Sequence, residues 1–362
     1  MSARARRHAA AALVSALTVG STLLLSACDP QAATGVAAGN AAPATAAKPS
    51  DAASSAAPAL SGATASATPS APPSPTAPVT ASAAGRTTAP ARNGAVQGLT
   101  ISNGTNLVLM NGTSVDFHTA VRDLAWSPDG GRAAFIDGAG DLSVSRADGS
   151  HRVVVARNPG GQTWSHPTWQ VDAADPVGLP AKNNILFTVG QGTGARLVGV
   201  PATAIGATPK PLSLKTFSDD NAKPLPTTGN VWISGGGMQH GSTVYANTTD
   251  HEVYIRDDYM RQQGAAIATG SEPALSRDGD EVVFVRSVAG HDHLFVQDVH
   301  KENPVARDLT PHATTDYTEP AWSPDGRTIA ARTTAGVVTL PVDGSSAPVL
   351  VVAGPGMPAY RH

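Results

Sequence analysis

Leu124-Ala125-Trp126-Ser127-Pro128-Asp129-Gly130 is the most telling stretch of this chain, because it recurs as Pro320-Ala321-Trp322-Ser323-Pro324-Asp325-Gly326. A third copy, Pro273-Ala274-Leu275-Ser276-Arg277-Asp278-Gly279, replaces Trp by Leu and Pro by Arg. The Ser-Pro-Asp-Gly tetrapeptide has a mechanism of its own. Proline presets φ at the second position of a β-turn, and the Asp and Gly that follow suit a tight hairpin. Each copy leads into a short apolar run: Ala133–Ile136, Val282–Val285 and Thr328–Ala331. A turn and a second run follow: Leu142–Val144, His293–Val296 and Val337–Leu340. Hairpins repeated at a steady spacing predict a modular β architecture.

Two looser copies emerge once the period is known. His166-Pro167-Thr168-Trp169 precedes Ile185–Thr188 after an insertion, and Asn230-Val231-Trp232 precedes Thr243–Ala246 across the glycine-rich segment 235–241. The last strand-like stretch, Met357-Pro358-Ala359-Tyr360, is an opening strand without companions. Its companions stand at the other end of the repeat region: Leu99–Ile101, Leu107–Met110 and Ser114–Phe117. The aromatic column therefore reads Trp126, Trp169, Trp232, Leu275, Trp322 and Tyr360. Intervals of about 40 to 60 residues match a four-stranded blade. The expected fold is all-β: a six-bladed β-propeller over residues 98–362, with the C-terminal strand closing the first blade. High Gly (36) and Pro (29) with only 15% charged residues suit many short strands and turns.

The Pro-Ala-Trp-Ser-Pro-Asp-Gly element resembles the WD40-like (PD40) repeat of the propeller domain of the TolB family of periplasmic proteins. The resemblance covers most of residues 98–362 and is strongest in three blades. It implies six blades, with the aromatic column packed between neighbours. The separate N-terminal domain of that family has no counterpart here, so membership of the Tol–Pal system is not implied.

Residues 1–27 have the layout of a secretory signal: Arg4, Arg6 and Arg7, then an apolar run from Ala9 to Leu25. Leu25-Ser26-Ala27-Cys28 resembles the bacterial lipobox, in which the cysteine is lipidated and becomes the first residue. Cys28 is the only cysteine, so no disulfide staples the fold, and a free exposed thiol on a secreted protein would be a liability. Residues 28–97 form the expected disordered tether. Between Asp29 and Arg92 there is no aromatic residue, and Val36, Leu60 and Val79 are the only large aliphatics. Such a stretch cannot bury enough apolar surface to offset its ordering entropy. Its r.m.s. span is roughly 45 Å, longer where Pro69–Pro78 favours extended backbone. The expected location is extracytoplasmic, anchored to the cell membrane by the lipid at Cys28.

Loss of the three leader arginines takes the formal charge from −3 to about −6. No Lys/Arg cluster survives, which argues against nucleic acid and against a polybasic membrane contact. No Gly-x-Ser-x-Gly elbow, His-Glu-x-x-His or phosphate-binding glycine loop is present, so no catalytic residue, cofactor or metal is expected. His291-Asp292-His293 could set two imidazoles on one strand face, but lacks a third ligand and reads better as a solvated hairpin tip. One pattern points to binding. Three residues before the column stand Asp123, His166, Gly229, Glu272, Glu319 and Met357. There, Asp123, His166, Glu272 and Glu319 would gather as a negative ring at one mouth of the central channel, able to hold a cation or a basic side chain. The expectation is a monomeric cell-envelope lipoprotein whose propeller is a scaffold for envelope proteins. The alternatives are a sugar- or peptide-binding lipoprotein and, behind it, a propeller enzyme acting on glycans.

Overall fold

The computed structural model describes residues 97–174, 180–216, 224–235, 241–257 and 263–362. The signal segment 1–27, Cys28 and the tether up to residue 96 lie outside the described residues, as does the middle of the glycine-rich 235–241 segment.

The first blade contains β1 (Leu99–Ser102), β2 (Leu107–Met110) and β3 (Thr113–Asp116). The second holds β4 (Arg122–Trp126), β5 (Arg132–Ile136), β6 (Leu142–Arg146) and β7 (Val153–Ala156). The third holds β8 (Trp164–Asp172), β9 (Lys182–Val189), β10 (Arg196–Pro201) and β11 (Lys210–Pro211). In the fourth, β12 (Lys215–Thr216) adds in parallel to the outer edge of β13 (Asn230–Gly235), β14 (Thr243–Asn247), β15 (Glu252–Arg256) and β16 (Gln263–Thr269). The fifth is β17 (Ser271–Leu275), β18 (Glu281–Val288), β19 (His291–Asp298) and β20 (Arg307–Asp308). The sixth is β21 (Thr318–Trp322), β22 (Thr328–Thr333), β23 (Gly336–Pro341) and β24 (Val349–Ala353). The last strand, β25 (Met357–Tyr360), returns to pair antiparallel with β1, Leu99 opposite Tyr360 and Ser102 opposite Met357. Six sheets result, antiparallel apart from the β12–β16 pair, and the C-terminal strand closes the first, as the repeat predicts.

The middle strands of the blades do not alternate. Ala133–Ile136, Ile185–Val189 and Val282–Val285 are buried at every residue. A blade is covered on both faces by its neighbours, so its central strands read as continuous apolar runs. Apolar clusters accordingly sit between adjacent blades. Phe117 and Phe135 join the first and second, Leu142 and Trp164 the second and third, Leu197 and Tyr245 the third and fourth. Val253 and Phe284 join the fourth and fifth, Leu294 and Ile329 the fifth and sixth, and Val337 and Ile101 the sixth and first. The core is thus a ring of interfaces, and breaking one opens the circle.

The turn chemistry is repeated at atomic detail. Gly130, Gly279 and Gly326 each donate their N–H to the carbonyl three residues back, on Ser127, Ser276 and Ser323. The serine hydroxyl donates to the Asp two positions on and accepts the N–H of the residue that opens the next strand, Arg132, Glu281 or Thr328. Gly130 has a second reason to be glycine: with φ +65°, a Cβ there would stand 2.2 Å from the His362 carbonyl oxygen. Closure is reinforced by Arg361, whose Nε donates to the Gly130 carbonyl and whose guanidinium lies 5.2 Å over the Trp126 ring.

Candidate functional site

The inner strands β4, β8, β13, β17 and β21 share a local irregularity. Their pairing slips between Arg122 and Ala125, Ser165 and Thr168, Val231 and Ser234, Ser271 and Ala274, and Thr318 and Ala321. Each slip contains one non-glycine residue at positive φ: Asp123 (53°), His166 (50°), Trp232 (51°), Glu272 (49°) and Glu319 (53°). A left-handed residue at a bulge re-aims its side chain out of the pleat, at a cost of order 1–3 kcal/mol. Here all five line a central cavity of about 260 Å³, with Met357 from the regular strand β25 beside them.

The structure therefore brings Asp123, His166, Glu272 and Glu319 together, and it corrects two other assignments. Trp232 does not belong to the aromatic column. It occupies the mouth position of the fourth blade, and the column position three residues later is Gly235. Gly229 stands back at the strand entry, donating its N–H to the Ala195 carbonyl, and does not line the cavity. The physical reason is the bulge, which sets the register from the backbone and not from the tryptophan. The signal was present in the small residue that precedes each column position: Ala125, Thr168, Ser234, Ala274 and Ala321. Alignment on that residue places Trp232 at the mouth.

The true column stitches blade to blade. Trp126 Nε1 donates to Thr100 Oγ1 at 2.9 Å, Trp169 Nε1 to the Ala125 carbonyl at 3.1 Å and Trp322 Nε1 to the Ala274 carbonyl at 2.8 Å. At the fourth blade, Thr168 Oγ1 bonds the Gly235 carbonyl.

Within the mouth, the His166 imidazole reaches from the third blade to Glu319 on the sixth, Nε2 to Oε2 at 3.4 Å. The His166 backbone N–H points at Asp123 Oδ2 at 3.4 Å, and the Glu319 backbone N–H donates to Glu272 Oε2 at 2.6 Å. Trp232 packs against His166 with ring centres 5.4 Å apart. The charges are uneven. Burial, then the neighbouring Glu319, pushes the Glu272 carboxyl up to about 7. Burial also raises Asp123. Burial works against ionisation of Glu319, but the His166 contact outweighs it and holds that carboxyl below its usual range. Burial opposes the charged imidazole too, yet Glu319, Asp123 and Glu272 together raise the His166 pKa. The other end of the cavity differs: Arg277 donates to the His362 ring at 3.1 Å, and burial and Arg277 lower the His362 pKa.

The two histidines of β19 are separately engaged. His291 Nδ1 meets Asp316 at 3.2 Å, and His293 Nδ1 meets Asp308 at 2.9 Å. His293 is buried, so the segment is not the solvated tip that its sequence suggests. Among the described residues, no group of three or more His, Cys, Asp and Glu converges as a metal site.

No protein-family model matches the chain, and no curated protein matches it by sequence. Solved structures do match its shape. TolB from Agrobacterium tumefaciens aligns over 71% of this chain and 89% of its own, at 16% identity and a TM-score of 0.52. TolB from Acinetobacter baumannii covers 73% of this chain and 65% of its own, at 15% identity and a TM-score of 0.49. The dihydro-heme d1 dehydrogenase NirN covers 75% and 57%, at 12% identity and a TM-score of 0.42. The described residues have the fold of the Agrobacterium TolB propeller, and a shared fold does not fix function.

Proposed function

We propose that this chain is a cell-envelope lipoprotein, lipid-anchored at Cys28, whose propeller binds an envelope protein through the acidic mouth of its central channel. The observation that carries the reading is the mouth itself. Five blades each spend a strained, left-handed residue to aim Asp123, His166, Trp232, Glu272 and Glu319 at one opening. Strain retained in a repeated position is better accounted for by binding than by folding, since glycine would fold there more cheaply. An aromatic ring among carboxylates is also the composition of a site for basic groups. The tether supplies reach, and the rigid ring of blades supplies a preorganised face.

In-cell crosslinking of the full chain, followed by purification and mass spectrometry beside a Cys28→Ala control, tests this. A specific envelope protein, lost from the control and from the triple variant Asp123→Asn, Glu272→Gln, Glu319→Gln, is the expected result. A partner captured equally by the triple variant would remove the mouth from the interaction. The cavity of about 260 Å³ favours a second reading, a small sugar or peptide held in the channel, although it falls just short of usual ligand pockets. A metabolite retained by the purified chain with no protein captured would select that reading. A glycan-acting enzyme would be selected by turnover that the triple variant abolishes.

A further inference from the structure

His166 offers an unusual clue to what the mouth takes. It crosses the channel axis to place a protonatable nitrogen against Glu319, with Asp123 and Glu272 also in electrostatic range. Both of its ring nitrogens are sealed from solvent and neither makes a full hydrogen bond, Nε2 standing at the 3.4 Å ion-pair distance from Glu319. Buried polar nitrogens are normally satisfied, so an unpartnered one in a cavity marks a position that another group can complete. Trp232 tells the same story. Its indole N–H helps to hold Glu319 ionised, yet it is buried short of full hydrogen-bond geometry.

We infer that the mouth binds a primary ammonium, the side chain of a lysine on the protein partner, in exchange for the His166–Glu319 bridge. The inference rests on the binding reading above and names the group that reading leaves open. His166 is then an internal stand-in for the ligand. Its imidazole already holds the place where a cation is stabilised by Glu319, Glu272 and Asp123, with the Trp232 ring alongside. A lysine ammonium is a compact point charge with three donors, which suits carboxylates spread around a ring better than the flat fork of a guanidinium. The aromatic wall favours an organic cation over a metal ion, and no metal-type cluster is present among the described residues. Arg277 and His362 line the cavity beyond the ends of β17 and β25, so the carboxylates mark the end that suits a cation.

The exchange depends on pH in one direction. On acidification through about 7 Glu272 takes up a proton, and the charged form of His166, which its carboxylate neighbours favour, competes for Glu319. As pH rises through about 7 the Glu272 carboxyl ionises and the mouth becomes more anionic. The other charges facing the group are Arg122 beside Asp123 and Arg332 beside Glu272 and Glu319.

The test is calorimetric titration of the full purified chain with Nα-acetyl-lysine methylamide. Binding is expected to tighten about tenfold between about pH 6 and about pH 8, as a carboxyl titrating near 7 requires, with proton release near neutrality. Glu319→Gln and Glu272→Gln should each abolish it while the melting transition persists, and His166→Gln should move the pH step upward, because the imidazole lowers the Glu272 carboxyl. Equal binding of the norleucine analogue, displacement of the probe by calcium chloride at equimolar level, or no binding at all would overturn the inference. Its failure is separable from failure of the platform reading. A crosslinked partner that survives Glu319→Gln leaves the platform standing without the lysine, whereas no captured partner removes the platform whatever the probe does.

Discussion

Trp322 and Trp232 occupy apparently equivalent places in two repeats, yet they do opposite work. Trp322 is buried between the fifth and sixth blades and ties them through its bond to the Ala274 carbonyl. Trp232 is turned into the channel by a left-handed backbone and faces His166 and Glu319. Three residues of register separate a residue that holds the ring together from one that furnishes its opening. The fourth blade loses an aromatic from its seam to gain one at the mouth, and Gly235 fills the vacated position so tightly that a Cβ would lie 2.9 Å from Leu275.

The contrast can be broken most decisively at the seam. Trp322→Ala should cost about 3–5 kcal/mol, visible as a lower denaturation midpoint, whereas Trp232→Ala should cost about 1 kcal/mol or less. Equal losses would put Trp232 back in the column. Gly235→Ala is the next largest effect, about 2–4 kcal/mol, because the backbone sits at φ +98° and Leu275 and the Ser242 carbonyl leave no room. A neutral result in urea unfolding would show that the fourth blade does not pack as described. At the mouth the ordinary ranking of residues in a strand should invert. Glu272→Gly should be more stable than Glu272→Ala by about 1–2 kcal/mol, since alanine keeps the left-handed strain and glycine removes it.

The smallest effect is electrostatic. The Glu272 carboxyl is raised in the folded state, so the stability it contributes is fully present below its unfolded value of 4.5 and is lost as pH rises through about 7. Glu272→Gln should remove that downward slope, a change on the order of 1 kcal/mol after solvent screening. Glu319 works with the opposite sign, because its lowered carboxyl stabilises above its unfolded value and that contribution is lost on acidification. Thermal melts across that range would separate the two, and parallel curves for Glu272→Gln and the parent would refute the assignment.

How far the fold could be read depended on whether the signal was local. Ser127-Pro128-Asp129-Gly130 and its copies specify a turn from their own covalent geometry, and the turn appears at each of the three sites with the same serine hydrogen bonds. The partnership of Met357–Tyr360 with Leu99–Ser102 was legible because each end of the repeat region lacked what the other had. Asp123, His166, Glu272 and Glu319 share one mouth because each stands at the same offset from a column residue. Trp232 was misplaced because the tryptophan letter was followed where the small residue before the column, Ser234 in this blade, marks the register that the bulge sets.

The sequence by itself determined the repeat, the six blades, the circular closure and four of the residues at the mouth, since all of these follow from periodicity and turn chemistry. Only the tertiary structure decided that His166 spans the channel to reach Glu319, and that Glu272 and Glu319 ionise so differently. Those facts arise from blades remote in sequence meeting at one axis, where burial and distance, set by closure of the ring, fix the charge on each group.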